Sequence, residues 1–145
     1  MTQEHIDLLT KDLSARLHYR LKIKTDFFQT ATLISIRKNI SYGASKDLVV
    51  TYDISRQETP FQGDERYGTI SQIKPYLFPL SSMTEEQSKE LEEIDPEFYS
   101  LICENGDICV SMDVRGYDWL NKNHFDYRGL IPMGLAIDAT NKNIY

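Results

Sequence analysis

The stretch "LLTKDLSARLHYRLKIK", residues 8–24, decides the fold class, because the apolar period changes inside it. Ile6, Leu9, Leu13 and Leu17 recur at spacings of three and four, which lays one apolar stripe along a helix. Thr2 is placed to cap the start of that helix. Lys11 and Arg16 fall in its later turns, where cations suit the dipole. From Tyr19 onward the period drops to two. Tyr19, Leu21 and Ile23 alternate with His18, Arg20, Lys22 and Lys24, the pattern of a half-buried strand with a basic outer face.

Two further strands follow. "FFQTATLISIRK" is rich in β-branched and aromatic residues and puts Thr32, Ile34 and Ile36 on one face. In "DLVVTYDI", Leu48, Val50, Tyr52 and Ile54 alternate inward, and "NISYGASK" supplies the turn between the two strands. Residues 55–69 read as a polar loop, with a short strand around Ile70 to Ile73. The two prolines of "IKPYLFPLSSM" argue against a central strand or a helix interior, so Tyr76, Leu77, Phe78 and Leu80 belong to an extended segment. Thr84 with Gln87 is a capping box that opens an acidic surface helix over residues 84–94. Asn105-Gly106 favours a hairpin within residues 97–110, with a helix from Pro96 to Cys103 as the competitor. A short helix around Tyr117 to His124 precedes an apolar C-terminal segment. The expected fold is α+β: an N-terminal helix, a small antiparallel sheet that is curled or barrel-like, and a helical C-terminal half ending in a docked segment. One domain spanning 1–145 is expected, with the helix and sheet in 1–75 and the acidic helix, hairpin and C-terminal clasp in 76–145.

Composition narrows the class without naming a function. A 41% hydrophobic and 26% charged chain is that of an ordinary water-soluble protein. No apolar run approaches a membrane span, and the N-terminus lacks a secretory signal pattern, so a cytoplasmic location in a bacterial cell and no membrane partner are expected. Cys103 and Cys109 match no zinc spacing and read as free thiols. The net charge of −6 is unevenly spread: residues 1–46 carry +4, residues 47–113 carry −11, and residues 114–145 carry +1. Such a dipolar surface can orient a partner, and an acidic solvated helix accounts for the same numbers.

Catalytic signatures are missing. There is no Gly-x-Ser-x-Gly elbow and no P-loop, and the paired carboxylates of residues 85–97 sit on a surface helix where little would tune their acidity. His124 and Asp126 offer two metal ligands where a site needs three or four. No enzyme, no cofactor and no metal are therefore expected. "HFDYRGLIPMGLAID", residues 124–138, is the stretch densest in polar side chains, and it reads as a clasp that returns Leu130, Ile131, Leu135 and Ile137 to the core. In that reading Asp126 caps a turn or pairs with Arg128. The clasp's polar edge, formed by Trp119, His124, Asp126, Tyr127 and Arg128, is the candidate surface for a protein partner. The alternative is a nucleic-acid-binding face built from Arg20, Lys22 and Lys24 with Arg37, Lys38 and Lys46 nearby and Tyr19, Phe27, Phe28 and Tyr42 interleaved.

Three stretches carry a resemblance. "LLTKDLSARL", "IKPYLFPLSSMTEEQ" and "DWLNKNHFDYRGLIPMGLAI", about 45 of 145 residues, resemble in wording and order a group of small proteins encoded by phages, prophages and mobile elements of gut anaerobes. This chain departs from the group's pattern at His18, where proline is frequent, at Phe78, where arginine is frequent, and in its Asn-Ile-Tyr ending. The resemblance implies a source and no catalytic residue. Small acidic proteins of such elements often act by binding a host or phage protein, modulating a host process or an anti-phage defence. A non-enzymatic accessory role of that kind is the functional expectation, beside a nucleic-acid module or a purely structural protein.

Overall fold

A computed structural model describes residues 1–38, 48–54, 65–96 and 114–145. In chain order these form α1 (Gln3–Arg16), a 3-10 turn (Leu17–Tyr19), β1 (Lys22–Thr25), β2 (Ala31–Lys38), β3 (Leu48–Asp53) and β4 (Glu65–Thr69). A 3-10 turn (Ile70–Gln72) leads into β5 (Ile73–Pro79), and another (Leu80–Ser82) leads into α2 (Glu85–Ile94). The chain closes with α3 (Val114–Lys122), β6 (Phe125–Asp126) and β7 (Ile137–Asp138). The sheet runs β4-β3-β2-β1-β5-β6, with β7 also on β5. All pairs are antiparallel except β5–β6 and β5–β7. The fold is α+β as expected, but the sheet is open rather than barrel-like. The expected hairpin at 97–110, the turn at 39–46 and both cysteines lie outside the described residues.

Helix α1 begins where Thr2 accepts a hydrogen bond from His5 N, and it buries Leu9 and Leu13 against the sheet. Leu21, just before β1, and Ile23, Leu33, Val50, Tyr52, Ile73 and Leu77 of the strands meet it, with Leu130 and Leu135 from the C-terminal segment. Each such leucine removed from water contributes about 1.5–3 kcal/mol. A second cluster of Leu91, Trp119, Leu120 and Phe125 joins α2, α3 and β6.

Four strand expectations change. Tyr19 ends the 3-10 turn before β1, and Arg20 caps that turn in the left-handed region with φ 54°. In β2 the buried side chains are Ala31 and Leu33, because a register shift between Leu33 and Ser35 flips the alternation and sends Ile36 rather than Arg37 toward the core side. Residues 65–69, expected as loop, pair with β3 as β4. The proline-bearing segment is an interior strand: β5 lies between β1 and β6. Pro75 is tolerated because β7 and β6 join β5 only from Tyr76 onward, so the far side of Pro75 carries no ladder, and Pro79 closes the strand.

The C-terminal residue is docked. Tyr145 stacks on His124 at 4.1 Å between ring centroids and packs against Phe78 at 5.7 Å. Its hydroxyl donates to Tyr76 O (2.8 Å) and accepts from Lys22 N (3.2 Å), so it bridges β1 and β5 beyond the last pair of their ladder. Burial of that hydroxyl raises its pKa. Tyr145→Ala is expected to cost about 2 kcal/mol, for the two hydrogen bonds and the ring contacts with His124 and Phe78 that it removes. Urea unfolding of the variant measures it, and an unchanged midpoint would show that the tail is not part of the fold.

Candidate functional site

Asp12 and Arg16 stand one helical turn apart on the apolar side of α1, each with no exposed surface. Arg16 Nε donates to Asp12 Oδ2 (2.8 Å) and Nη2 donates to Oδ1 (3.0 Å). The guanidinium also reaches across to the C-terminal half, where Nη2 donates to Phe125 O (2.7 Å) and Nη1 to Leu120 O (3.4 Å). Leu120 O is among the last carbonyls of α3, so a cation of α1 satisfies the end of α3 and its dipole together.

Arg128 approaches the same carboxylate from the clasp. Its Nε donates to Asp12 Oδ1 (3.2 Å) and its Nη2 to the Tyr127 hydroxyl (2.7 Å). That hydroxyl donates in turn to Asn121 Oδ1 on α3 (3.0 Å). The Tyr127 ring lies beneath both guanidinium groups, at 4.6 Å from Arg128 and 5.4 Å from Arg16, close enough for cation–π attraction. Asp126 does not pair with Arg128. Its two oxygens accept from Leu130 N (2.9 Å) and Ile131 N (2.7 Å), capping the turn that follows. That turn opens and closes on left-handed glycines, Gly129 (φ 72°) and Gly134 (φ 71°), a conformation that other residues adopt only with strain.

On the outer side of this network lies an open cleft of about 430 Å³ between α1 and α3, lined by Lys11, Tyr117, Asn121, Tyr127 and Arg128. Tyr117 and Tyr127 face each other at 5.3 Å. Lys11 is exposed and makes no ion pair among the described residues.

Of the residues expected at a partner surface, Tyr127 and Arg128 are half-buried and line the cleft, whereas Trp119, His124 and Asp126 are buried. Trp119 stacks on Phe125 at 5.7 Å inside the second cluster, with no hydrogen-bond partner for its Nε1 among the described residues. His124 turns the chain from α3 into β6 with φ 60°, its buried Nδ1 without a hydrogen-bond partner among the described residues. Burial, and secondarily the charge of Arg16, lower its pKa to about 4, so its ring is uncharged at neutral pH.

Sequence reading missed Asp12, Tyr117 and Asn121 and took Lys11 and Arg16 only as dipole partners. One signal was present: Asp12 and Arg16 fall three and seven residues after Leu9, on the apolar stripe where charges are not expected.

The basic row is only partly assembled. Lys22 and Lys24 share a face of β1, and Lys22 Nζ donates to Thr32 Oγ1 (2.9 Å). Burial, then the charge of Arg20, lower the Lys22 pKa. Arg37 is exposed and sits 5.5 Å over the Tyr67 ring. Lys38 ends β2 opposite Leu48, and Arg20 lies outside the strand.

No group of three or more metal-ligating side chains converges among the described residues, and no helix there is long and apolar enough to cross a membrane. Comparison with protein-family models, curated proteins and solved structures finds no match to this chain.

Removing the shared carboxylate strands two cations. Asp12→Ala is expected to destabilise by about 3–5 kcal/mol, the cost of leaving a buried charge unpaired. An Asp12→Leu/Arg16→Met pair should recover part of that loss in urea unfolding, and a double variant as unstable as the single one would contradict the ion-pair account. His124 gives a pH signature. The unfolded chain takes up its proton near pH 6.5 and the folded chain only near 4, so stability falls as pH drops through that window. The loss is on the order of 3 kcal/mol at the acid end. The difference in unfolding free energy between wild type and His124→Gln should shrink from pH 7 to pH 4.5, and a constant difference would refute it.

Proposed function

We propose that this is a non-enzymatic accessory protein of phages or mobile elements that acts in the bacterial cytoplasm by binding another protein, modulating a host process or an anti-phage defence. The observation that carries the reading is the cleft between α1 and α3. It presents two tyrosines, an arginine and a lysine, and tyrosine and arginine are enriched among residues that dominate binding energy. The buried network behind it fixes Tyr127 and Arg128 before any partner arrives, which lowers the entropy cost of association. Two of the three stretches on which the phage resemblance rests are also those that build this network, from Asp12 and Arg16 to Asn121, Tyr127 and Arg128.

A second reading, single-stranded nucleic acid bound on the outer sheet face, is favoured by one observation. Arg37 lies over the ring of Tyr67, which is 61% exposed, as an aromatic and basic pair at one end of β2, and Phe27, 80% exposed, stands in the turn before the other end. The acidic net charge of −6 weighs against it.

Capture from bacterial lysate with wild type, Lys11→Glu, Tyr117→Ala and Lys24→Glu/Arg37→Glu separates the two readings. Protein partners retained by wild type should be lost with Lys11→Glu or Tyr117→Ala and kept by the sheet-face variant. Equal recovery by all four removes the cleft as the contact surface. Retention on single-stranded DNA that falls steeply with salt and only with the sheet-face variant would select the second reading.

A further inference from the structure

We propose that the cleft between α1 and α3 takes the carboxylate of an acidic protein segment, held between the Lys11 ammonium and the Arg128 guanidinium; the inference rests on the protein-binding reading above. The charge behind the cleft is unbalanced. Arg16 and Arg128 both draw on the single carboxylate of Asp12, and Lys11 adds a third cation. Three cations thus gather where one carboxylate is paired with them. Among the described residues no carboxylate other than Asp12 forms an ion pair with Arg16, Arg128 or Lys11. Asp126 is committed to the Leu130 and Ile131 amides, and Asp7, one turn before Lys11, accepts from Gln3 Nε2. Asp118 is exposed on α3 and forms no ion pair with Lys11 or Arg128.

The geometry favours an acidic side chain with an apolar neighbour over a small free ion. Arg128 spends Nε and one Nη2 proton inside the network, while its Nη1 makes no hydrogen bond among the described residues. One guanidinium edge and one ammonium suit the two oxygens of a carboxylate. The wall beside them is aromatic, with the Tyr117 and Tyr127 rings 5.3 Å apart, and an apolar neighbour of the carboxylate packs better against it than a small ion does. About 430 Å³ falls in the range of sites that take an organic ligand or several side chains. The cleft is open to solvent on one side, so a charge there keeps part of its hydration and the attraction is screened by salt.

The test uses the full chain and a fluorescein-labelled hexapeptide alternating Glu and Phe, read by anisotropy. Expected is binding that weakens roughly tenfold or more with Lys11→Glu and on raising salt from about 0.05 to 0.5 M, with Lys89→Glu on α2 unchanged. A hexapeptide alternating Lys and Phe should not bind. Lys11 is exposed, so matching melting temperatures for wild type and Lys11→Glu exclude a folding artefact. Equal peptide binding by wild type and Lys11→Glu overturns the inference. So does full displacement of the peptide by millimolar inorganic phosphate, or tighter Lys11-dependent binding of a labelled single-stranded oligonucleotide, since either assigns the cleft to phosphate. Lysate capture lost with Tyr117→Ala but kept with Lys11→Glu sinks the carboxylate inference and leaves protein binding intact. Lys11-dependent peptide binding with no captured protein supports the site and sinks the functional reading instead.

Discussion

The carboxylate of Asp12 is where the two halves of the molecule are tied. It accepts from Arg16 within its own helix and from Arg128 of the C-terminal segment, and Arg16 continues to the carbonyls of Leu120 and Phe125. An ion pair with no exposed surface is expensive to desolvate, and against an apolar pair of equal volume it gains little net stability. Its effect is directional. Leucine side chains would hold α3 against α1 at many offsets, whereas two guanidinium groups with named carbonyl and carboxylate partners allow one. The position of β6 on β5, and with it the second hydrophobic cluster, follows from that single arrangement.

How much of this was legible depends on whether the signal was local. The stripe of Leu9 and Leu13, the inward set of Leu48, Val50, Tyr52 and Ile54 along and just past β3, and the Thr84–Gln87 box depend on residues within a few positions of each other, and the structure has all of them. The features that escaped reading depend on remote partners. Pro75 looks incompatible with an interior strand until it is known that the strand's other neighbours begin at Tyr76. The shift between Leu33 and Ser35 shows only in pairing with β3, and it exchanges the faces of Ile36 and Arg37. Arg16 reads as a surface cation at a helix end because its partners lie 104 and 109 residues away.

The polar opening of the clasp shows the same division. His124, Asp126, Tyr127 and Arg128 crowd into five positions, and each has a structural assignment: a chain reversal, a turn cap, a hydroxyl relay and a second ligand for Asp12. The density that suggested a reactive site is that of a joint in which α3, β6, the 130–134 turn and α1 meet within a few residues. Of the two possibilities for Asp126, the cap prevails because its side chain lies under the amides of Leu130 and Ile131, while Arg128 has a buried carboxylate available on α1.

A joint made this way leaves a residue of charge. Satisfying α3's terminal carbonyl and the β6 backbone takes a guanidinium, holding the clasp takes another, and only one carboxylate serves both. Arg16 is sealed inside, so its field is weakly screened, and Arg128 carries the excess to the edge where Lys11 stands. The rest of the molecule runs the other way, with Glu85, Glu86, Glu90, Glu92 and Glu93 exposed along α2. The long-range field of an acidic protein attracts basic surfaces and repels acidic ones, and a positive cleft reverses that preference only at close approach. Discrimination of that kind comes from contact geometry at Lys11 and Arg128 rather than from net charge, and the rigid network behind them keeps that geometry in place.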